Sequence, residues 1–340
     1  MKAFSFSAGR RRGLHQFAWA ALGAAAGALG VQRPARAETE LKLGHVGEPG
    51  SLLQKSADEF AKRVNAKLAG KVKVVVYGSS QLGGDKELIQ KLKLGTVDMA
   101  MPSTVMSSEV DQFGLFELPY MVKDREHMKR IEKGVFWPSL APAAEKKGLK
   151  ILAVWENGYR HITNNKHPIK TPADLKGIKL RVPEGKWRVK MFQQYGANPS
   201  PMKFSELFTA LQTGVMDGQE NPLTQIYSAK LQEVQKYLSL SGHVYTPDYL
   251  IAGARKYNTL PADVRKVLED TARATQAFVY QTAQKDEGEL LGKLKQAGMQ
   301  VNEVDKDAFI AASGPIYEEF GKEVPGAKAL IDKAVALGKQ

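Results

Sequence analysis

Asp85-Lys86-Glu87-Leu88-Ile89-Gln90-Lys91-Leu92-Lys93-Leu94-Gly95-Thr96-Val97-Asp98 can be laid over Phe204-Ser205-Glu206-Leu207-Phe208-Thr209-Ala210-Leu211-Gln212-Thr213-Gly214-Val215-Met216-Asp217 at a constant offset of 119 residues. Glu87 falls on Glu206, Leu88 on Leu207, Leu92 on Leu211, Gly95 on Gly214 and Asp98 on Asp217. Each copy reads as an amphipathic helix stopped by a glycine that can take left-handed backbone, then a short strand and an aspartate. Shared capping chemistry accounts for part of the match. The rest points to two lobes of similar build.

Working outward, the first copy sits in a run of alternating strands and helices. Leu41–Gly44 reads as a short buried strand, and Ser56-Ala57-Asp58-Glu59 as a capping box opening a helix that Gly70 stops. Val72, Val74 and Val76 mark a strand with one buried face, Asp85 is expected to cap the next helix, and Val97–Met101 is the following strand. The second copy repeats this with a strand at Ile178–Val182 and a helix capped by Ser205. Strand–helix alternation of this kind predicts an α/β fold with a mostly parallel sheet in each lobe. Ligands of such sheets bind beyond the carboxyl ends of the strands, in a cleft between the lobes.

Leu152–Tyr159 and Tyr249–Ala254 are strand-like and are the segments expected to cross between lobes. Lobe I is then residues 38–158 and 249–285, lobe II is 159–248, and 286–340 are helices bracing the lobes. The helical pattern from Ala262 to Lys295 and beyond Asp305 carries Lys/Glu faces and no chemistry. Such a helical tail can brace a lobe or pair with another chain, so the oligomeric state is not read from it.

The chain has 340 residues, is 43% hydrophobic and contains no cysteine, which excludes disulfide scaffolds, thiol nucleophiles and cysteine zinc sites. Its formal charge is +13, but Lys2, Arg10, Arg11, Arg12, Arg33 and Arg36 all lie in an N-terminal segment without acids. The remaining excess is dispersed, without the clustering a nucleic-acid footprint requires. Residues 1–37 read as a secretory signal: arginines, an apolar run from Phe17 to Val31 too short to span a bilayer, then Ala35-Arg36-Ala37. Cleavage after Ala37 is expected, leaving Glu38 first, by the general route or by the twin-arginine route that Arg11-Arg12 would serve. The mature protein is expected in the periplasm.

Enzyme motifs are missing. Gly78-Ser79-Ser80-Gln81-Leu82-Gly83-Gly84 has glycines spaced like a phosphate loop, but Asp85 stands where Lys and Ser/Thr are required. The sequence contains no GxSxG elbow, HExxH or EF-hand loop. His161 and His167 have no third ligand nearby, so neither metal nor cofactor is expected. What remains is anion chemistry in lobe II. Arg181 ends a strand just before Pro183, where a guanidinium can hold a carboxylate through two parallel hydrogen bonds. Asn221 follows Asp217-Gly218-Gln219-Glu220 and can donate to the same group, and Arg160 follows Asn157-Gly158-Tyr159 at the expected crossover.

Leu180-Arg181-Val182-Pro183, Gly196-Ala197-Asn198-Pro199, Phe204-Ser205-Glu206 and Asp217-Gly218-Gln219-Glu220-Asn221-Pro222 closely resemble the DctP family, the solute receptors of tripartite ATP-independent periplasmic (TRAP) transporters. Ser79-Ser80-Gln81-Leu82-Gly83 and Leu118-Pro119-Tyr120 match that family's first lobe. The resemblance implies a two-lobed periplasmic binding protein that closes on an organic acid and delivers it to a sodium-coupled membrane permease. It implies a carboxylate salt bridge at Arg181 and a hydrogen bond at Asn221, with Arg160, Phe204 and Asp85 lining the cleft and Phe204 as an apolar wall. In sialic-acid receptors of the family the positions matching Ser103 and Met106 are charged and that matching Val46 is polar, so sialic acid is not the expected ligand. Glu184, Trp187, His45, Glu48 and Tyr159 are further candidates for hydrogen bonds or an apolar wall.

The acid expected is small: a C4-dicarboxylate, a 2-oxo or 2-hydroxy acid, or an aromatic acid. The alternatives are a sugar-acid receptor, which needs more hydroxyl partners than the sequence points to, and a sensory receptor that presents its ligand to a membrane kinase. An enzyme is disfavoured because no nucleophile–base pair is visible.

Overall fold

The computed structural model describes residues 38–339. The expected signal segment and its cleavage site after Ala37 lie outside the described residues. Ten strands form one continuous sheet: β1 (Thr39–Gly44), β2 (Val72–Tyr77), β3 (Met99–Ala100), β4 (Leu149–Asn164), β5 (Lys179–Val182), β6 (Asn198–Pro201), β7 (Gly218–Pro222), β8 (Tyr237–Leu240), β9 (Tyr245–Gly253) and β10 (Gln300–Glu303). The order is β2-β1-β3-β9-β4-β7-β5-β6, with β8 on β4 and β10 beyond β8. In lobe I, β2, β1 and β3 are parallel, and in lobe II so are β7, β5 and β6.

The lobes are joined through β4. It pairs antiparallel with β9 as far as Tyr159 opposite Tyr245, then with β7 from Arg160 opposite Pro222 onward. Both segments expected to cross between lobes are thus strands, and the register irregularity between Glu156 and Gly158 falls at the handover. Gly158 has φ +127°, a backbone state that side chains other than glycine rarely adopt.

The helices used below are α1 (Leu52–Lys67), α2 (Asp85–Leu94), α3 (Lys186–Gln194), α4 (Phe204–Gln212), α5 (Leu223–Ser228), α6 (Ala262–Gln296), α7 (Lys306–Ala311), α8 (Gly314–Glu323) and α9 (Ala327–Leu337). Several local expectations are corrected. Ser51, not Ser56, caps α1, because Leu52 and Leu53 are already buried in its first turn; the Ser56 hydroxyl donates to the Leu52 carbonyl instead. The cap of α2 is Gly84, whose N–H donates to Glu87, and this frees Asp85 to turn away. Likewise α4 starts at Phe204 with no side-chain cap from Ser205. Only Met99 and Ala100 of the strand expected at Val97–Met101 pair in the sheet.

The domain boundary drawn at 285/286 falls inside α6, a single helix of 35 residues. Its first half packs on α1 and β4, with the buried Trp155 indole N–H donating to the Ala272 carbonyl. Its second half buries Leu290 and Leu294 in lobe II. Nor is the segment from 286 onward all helix: β10 extends the lobe II sheet through β8. Then α7 packs Phe309 into lobe II, while α8 and α9 join the lobe I core. The C-terminal segment therefore ties the lobes together at several points.

Candidate functional site

The helical repeat has a geometric consequence. Asp85 and Phe204, 119 residues apart, are the first residues of α2 and α4, and both line one cavity from opposite lobes. Lobe I adds Val46, Ser103, Thr104 and Asn157, and lobe II adds Arg160, Arg181, Asn221 and Gln225. The cavity measures about 40 Å³, and its walls come from both lobes. The irregularity at Gly158 lets Asn157 and Arg160, which would point to opposite faces of a regular strand, share this cavity. Tyr159 and His161 line a larger open groove of about 1290 Å³ instead. There Arg125 is paired with Glu156 and Glu287, and Lys123, Arg273 and Lys306 line the groove as well.

Arg181 is 3% exposed. Its Nε and Nη2 donate to the Met202 carbonyl at 3.0 and 2.6 Å, which fixes the plane of the guanidinium and leaves Nη1 free of that bond. Phe204 lies against it, its ring centre 5.9 Å from the guanidinium carbon. Burial first, then the charge of Arg160, pull the pKa of Arg181 down to about 10, so it remains a cation at neutral pH. Among the described residues no carboxylate forms an ion pair with it.

Arg160 differs. Its Nε and Nη2 bind the Glu220 carboxylate at 2.5 and 2.9 Å, and Nη2 also donates to the Asn221 Oδ1 at 3.0 Å. Glu220 in turn accepts from Arg188 Nη1 at 2.6 Å and meets His243 Nε2 at 3.1 Å, while Arg188 reaches Glu117 at 2.9 Å. Burial alone would raise the Glu220 pKa, but Arg160 and Arg188 outweigh it and hold the carboxyl far below the usual range. Arg160 thus lines the cavity with its charge already balanced. Asn221 is held between Arg160 and Gln219, and its Nδ2 donates to the Gln219 Oε1 with one hydrogen left over. Glu117, Arg188 and His243 were not singled out as site residues from sequence, and only Gln219 and Glu220, inside the Asp217–Pro222 run, carried a local signal.

The Ser103 hydroxyl donates to the Pro247 carbonyl and accepts from Asn157 Nδ2. Glu184 lies outside the cavity lining but near enough to act on Asp85 and Arg181 through its charge. Trp187 is placed elsewhere: it is 1% exposed and packs edge-on against Phe320 of α8 in the lobe I core, where α3 faces that helix. His45 is buried and neutral, burial lowering its pKa to about 4, and Met106 is core. Glu48 accepts from the Ser79 hydroxyl and borders an outer groove of about 460 Å³ on the far side of Phe204. Asn157 and Gln225 line the cavity without having been anticipated; neither has a sequence signature.

Asp85 Oδ1 is shielded and has no hydrogen-bond partner among the described residues. Burial pushes its carboxyl up to about 7, with Arg181 opposing and Glu184 adding to the rise. A carboxyl with a folded pKa above its unfolded value of about 3.9 destabilises the fold progressively as pH rises between those values. The loss is complete above about pH 7. Asp85→Asn removes that penalty, so it is expected to raise the melting temperature more at pH 8 than at pH 5. Equal shifts at the two pH values would contradict a proton held on Asp85.

With this geometry in view, the similarities to known proteins are informative. The family model described as DctP, bacterial extracellular solute-binding protein, family 7, matches residues 43–323. A TRAP periplasmic solute-binding protein from Bordetella, with density attributed to pantoate, superposes with a TM-score of 0.83 at 37% identity, covering 87% of this chain and 98% of that one. One from Polaromonas sp. JS666, bound to D-erythronate, gives 0.84 at 36% identity over 87% and 98%. The 2,3-diketo-L-gulonate-binding periplasmic protein of Escherichia coli K12 is 32% identical over 313 residues, 91% of this chain and 95% of that protein. The chain therefore belongs to the DctP family of bacterial extracellular solute-binding proteins, the solute receptors of TRAP transporters.

Proposed function

We propose that this protein captures one small organic acid between its lobes and presents the closed complex to a sodium-coupled TRAP permease. The observation that supports this reading is Arg181: a buried guanidinium, oriented by the Met202 carbonyl, with no carboxylate among the described residues paired to it. A buried charge without a counter-ion is costly, and an incoming carboxylate removes that cost. Asn221, oriented by Arg160 and Gln219, adds a hydrogen-bond donor to the same group. Because the site is divided between lobes, the closed form gains contacts that an open form lacks, and binding shifts the population toward closure. The residues in binding roles are Arg181 and Asn221 for the carboxylate, Phe204 as apolar wall, and Asp85 and Ser103 on the lobe I side.

A thermal-shift screen of organic acids tests the reading. An acid that binds the folded form at about 100 times its Kd adds about 2.7 kcal/mol of stability. A panel of monocarboxylates, dicarboxylates and sugar acids that leaves the melting temperature unmoved contradicts it. Export with cleavage after Ala37 belongs to the same proposal. Intact-mass measurement on periplasmic protein is expected to show a chain starting at Glu38, and a retained leader would refute the cleavage site.

A further inference from the structure

We propose that the acid is a polyhydroxylated monocarboxylate, its carboxylate on Arg181 and its hydroxyls donating to a wall of acceptors formed by Asn157, Gln225 and Asp85, and that a second carboxylate is rejected. The inference rests on the reading of Arg181 as carboxylate anchor and adds the chemistry of the rest of the ligand.

The charges come first. Three arginines are buried around the cavity, Arg160, Arg181 and Arg188, and two glutamates, Glu117 and Glu220. Arg160 is paired with Glu220, and Arg188 with both glutamates, which leaves Arg181 as the cation without an ion pair. Among the described residues no lysine or histidine lines the cavity, so one ligand carboxylate is balanced and a second meets no cation. Such a carboxylate would be buried without a counter-ion.

The hydrogen-bonding groups select in the same direction. Asn157 is 5% exposed and Gln225 3%, and both line the cavity. Asn157 Oδ1, Gln225 Oε1 and Asp85 Oδ1 are all shielded from solvent and unpartnered. The orientation of Asn157 follows from its neighbour: the Ser103 hydroxyl gives its one hydrogen to the Pro247 carbonyl, so it accepts from the Asn157 amino group and leaves Oδ1 free. Free buried acceptors require donors. A hydroxyl supplies one, whereas a carboxylate supplies none and sets acceptor against acceptor. Phe204 stands on the remaining side, against the C–H face of a carbon chain.

Calorimetry on the mature chain with D-erythronate, D-gluconate, butyrate and succinate tests the proposal, the first two covering four- and six-carbon chains. The better of the two hydroxy acids is expected to bind about 10²-fold or more tightly than butyrate or succinate, since a site built to bond hydroxyls rejects analogues lacking them. In Gln225→Leu and Asn157→Leu the ratio of hydroxy-acid to butyrate affinity is expected to fall about tenfold, the scale of one lost hydrogen bond. The ratio is internal to each variant, and circular dichroism checks folding, so general destabilisation does not imitate the result. Succinate or butyrate binding as tightly as both hydroxy acids overturns this inference and leaves the carboxylate anchor standing. If no acid of the four binds, and none of the wider thermal-shift panel does, both readings fail together.

Discussion

Arg181→Ala is expected to weaken binding of the acid by roughly 10²–10³-fold. Removing one member of a buried, hydrogen-bonded charge pair costs about 3–5 kcal/mol, and each 1.4 kcal/mol is about tenfold in affinity. The geometry explains why so much depends on one side chain. Arg160, the other arginine at the cavity, is already neutralised by Glu220 and cannot substitute without breaking that pair. Arg181→Lys is expected to remain defective. The Met202 carbonyl orients a planar fork through two of its nitrogens, and an ammonium offers neither the plane nor the second donor toward the ligand. Calorimetry on both variants decides the matter. Binding by Arg181→Ala within a few-fold of wild type would show that the carboxylate sits elsewhere.

Glu220→Ala is expected to produce the largest loss of stability, about 3–5 kcal/mol, read as a shift of the denaturant midpoint. Glu220 is fully buried and meets Arg160, Arg188 and His243 at once. Its removal leaves Arg160 without an ion pair and Arg188 with Glu117 alone, where water cannot reach them. It also frees Arg160, which orients the Asn221 amide through Oδ1, so affinity for the acid falls in the same variant. Glu220→Gln keeps the shape and one acceptor oxygen and is expected to be milder. A Glu220→Ala protein within about 1 kcal/mol of wild type would mean that the network rearranges around the gap.

Much of the architecture was legible locally. Helices such as α2 and α4 announce themselves through leucines at helical spacing and a terminating glycine, because both depend on residues within one or two turns. Parts of the crossing strands β4 and β9 were legible as strand-like segments, Leu152–Tyr159 and Tyr249–Ala254. Helix starts were less legible. Ser56 has the spacing of a capping box, but the burial of Leu52 and Leu53 draws the start of α1 forward to Ser51, and burial is a tertiary property. The same holds for Trp187. A tryptophan beside a strand-end loop fits a ligand wall as well as a core position, and contact with Phe320, more than a hundred residues later in the chain, decides for the core.

By itself, then, the sequence determined two α/β lobes joined by crossing strands, the absence of thiol chemistry, and a set of candidate anion-binding groups at strand ends in lobe II. Those properties follow from residue type and short-range spacing. Only the tertiary structure decided how the groups are shared out. It pairs Arg160 with Glu220, 60 residues away, and leaves Arg181 with a carbonyl and, among the described residues, no counter-ion. It brings Asp85 and Phe204 from opposite lobes to one cavity, and it adds Asn157 and Gln225, whose unpartnered oxygens no motif marks. The reason is physical. Which buried charge is compensated, and which buried acceptor is left wanting a donor, depends on neighbours supplied by chain closure over long distances, and spacing along the sequence carries no record of them.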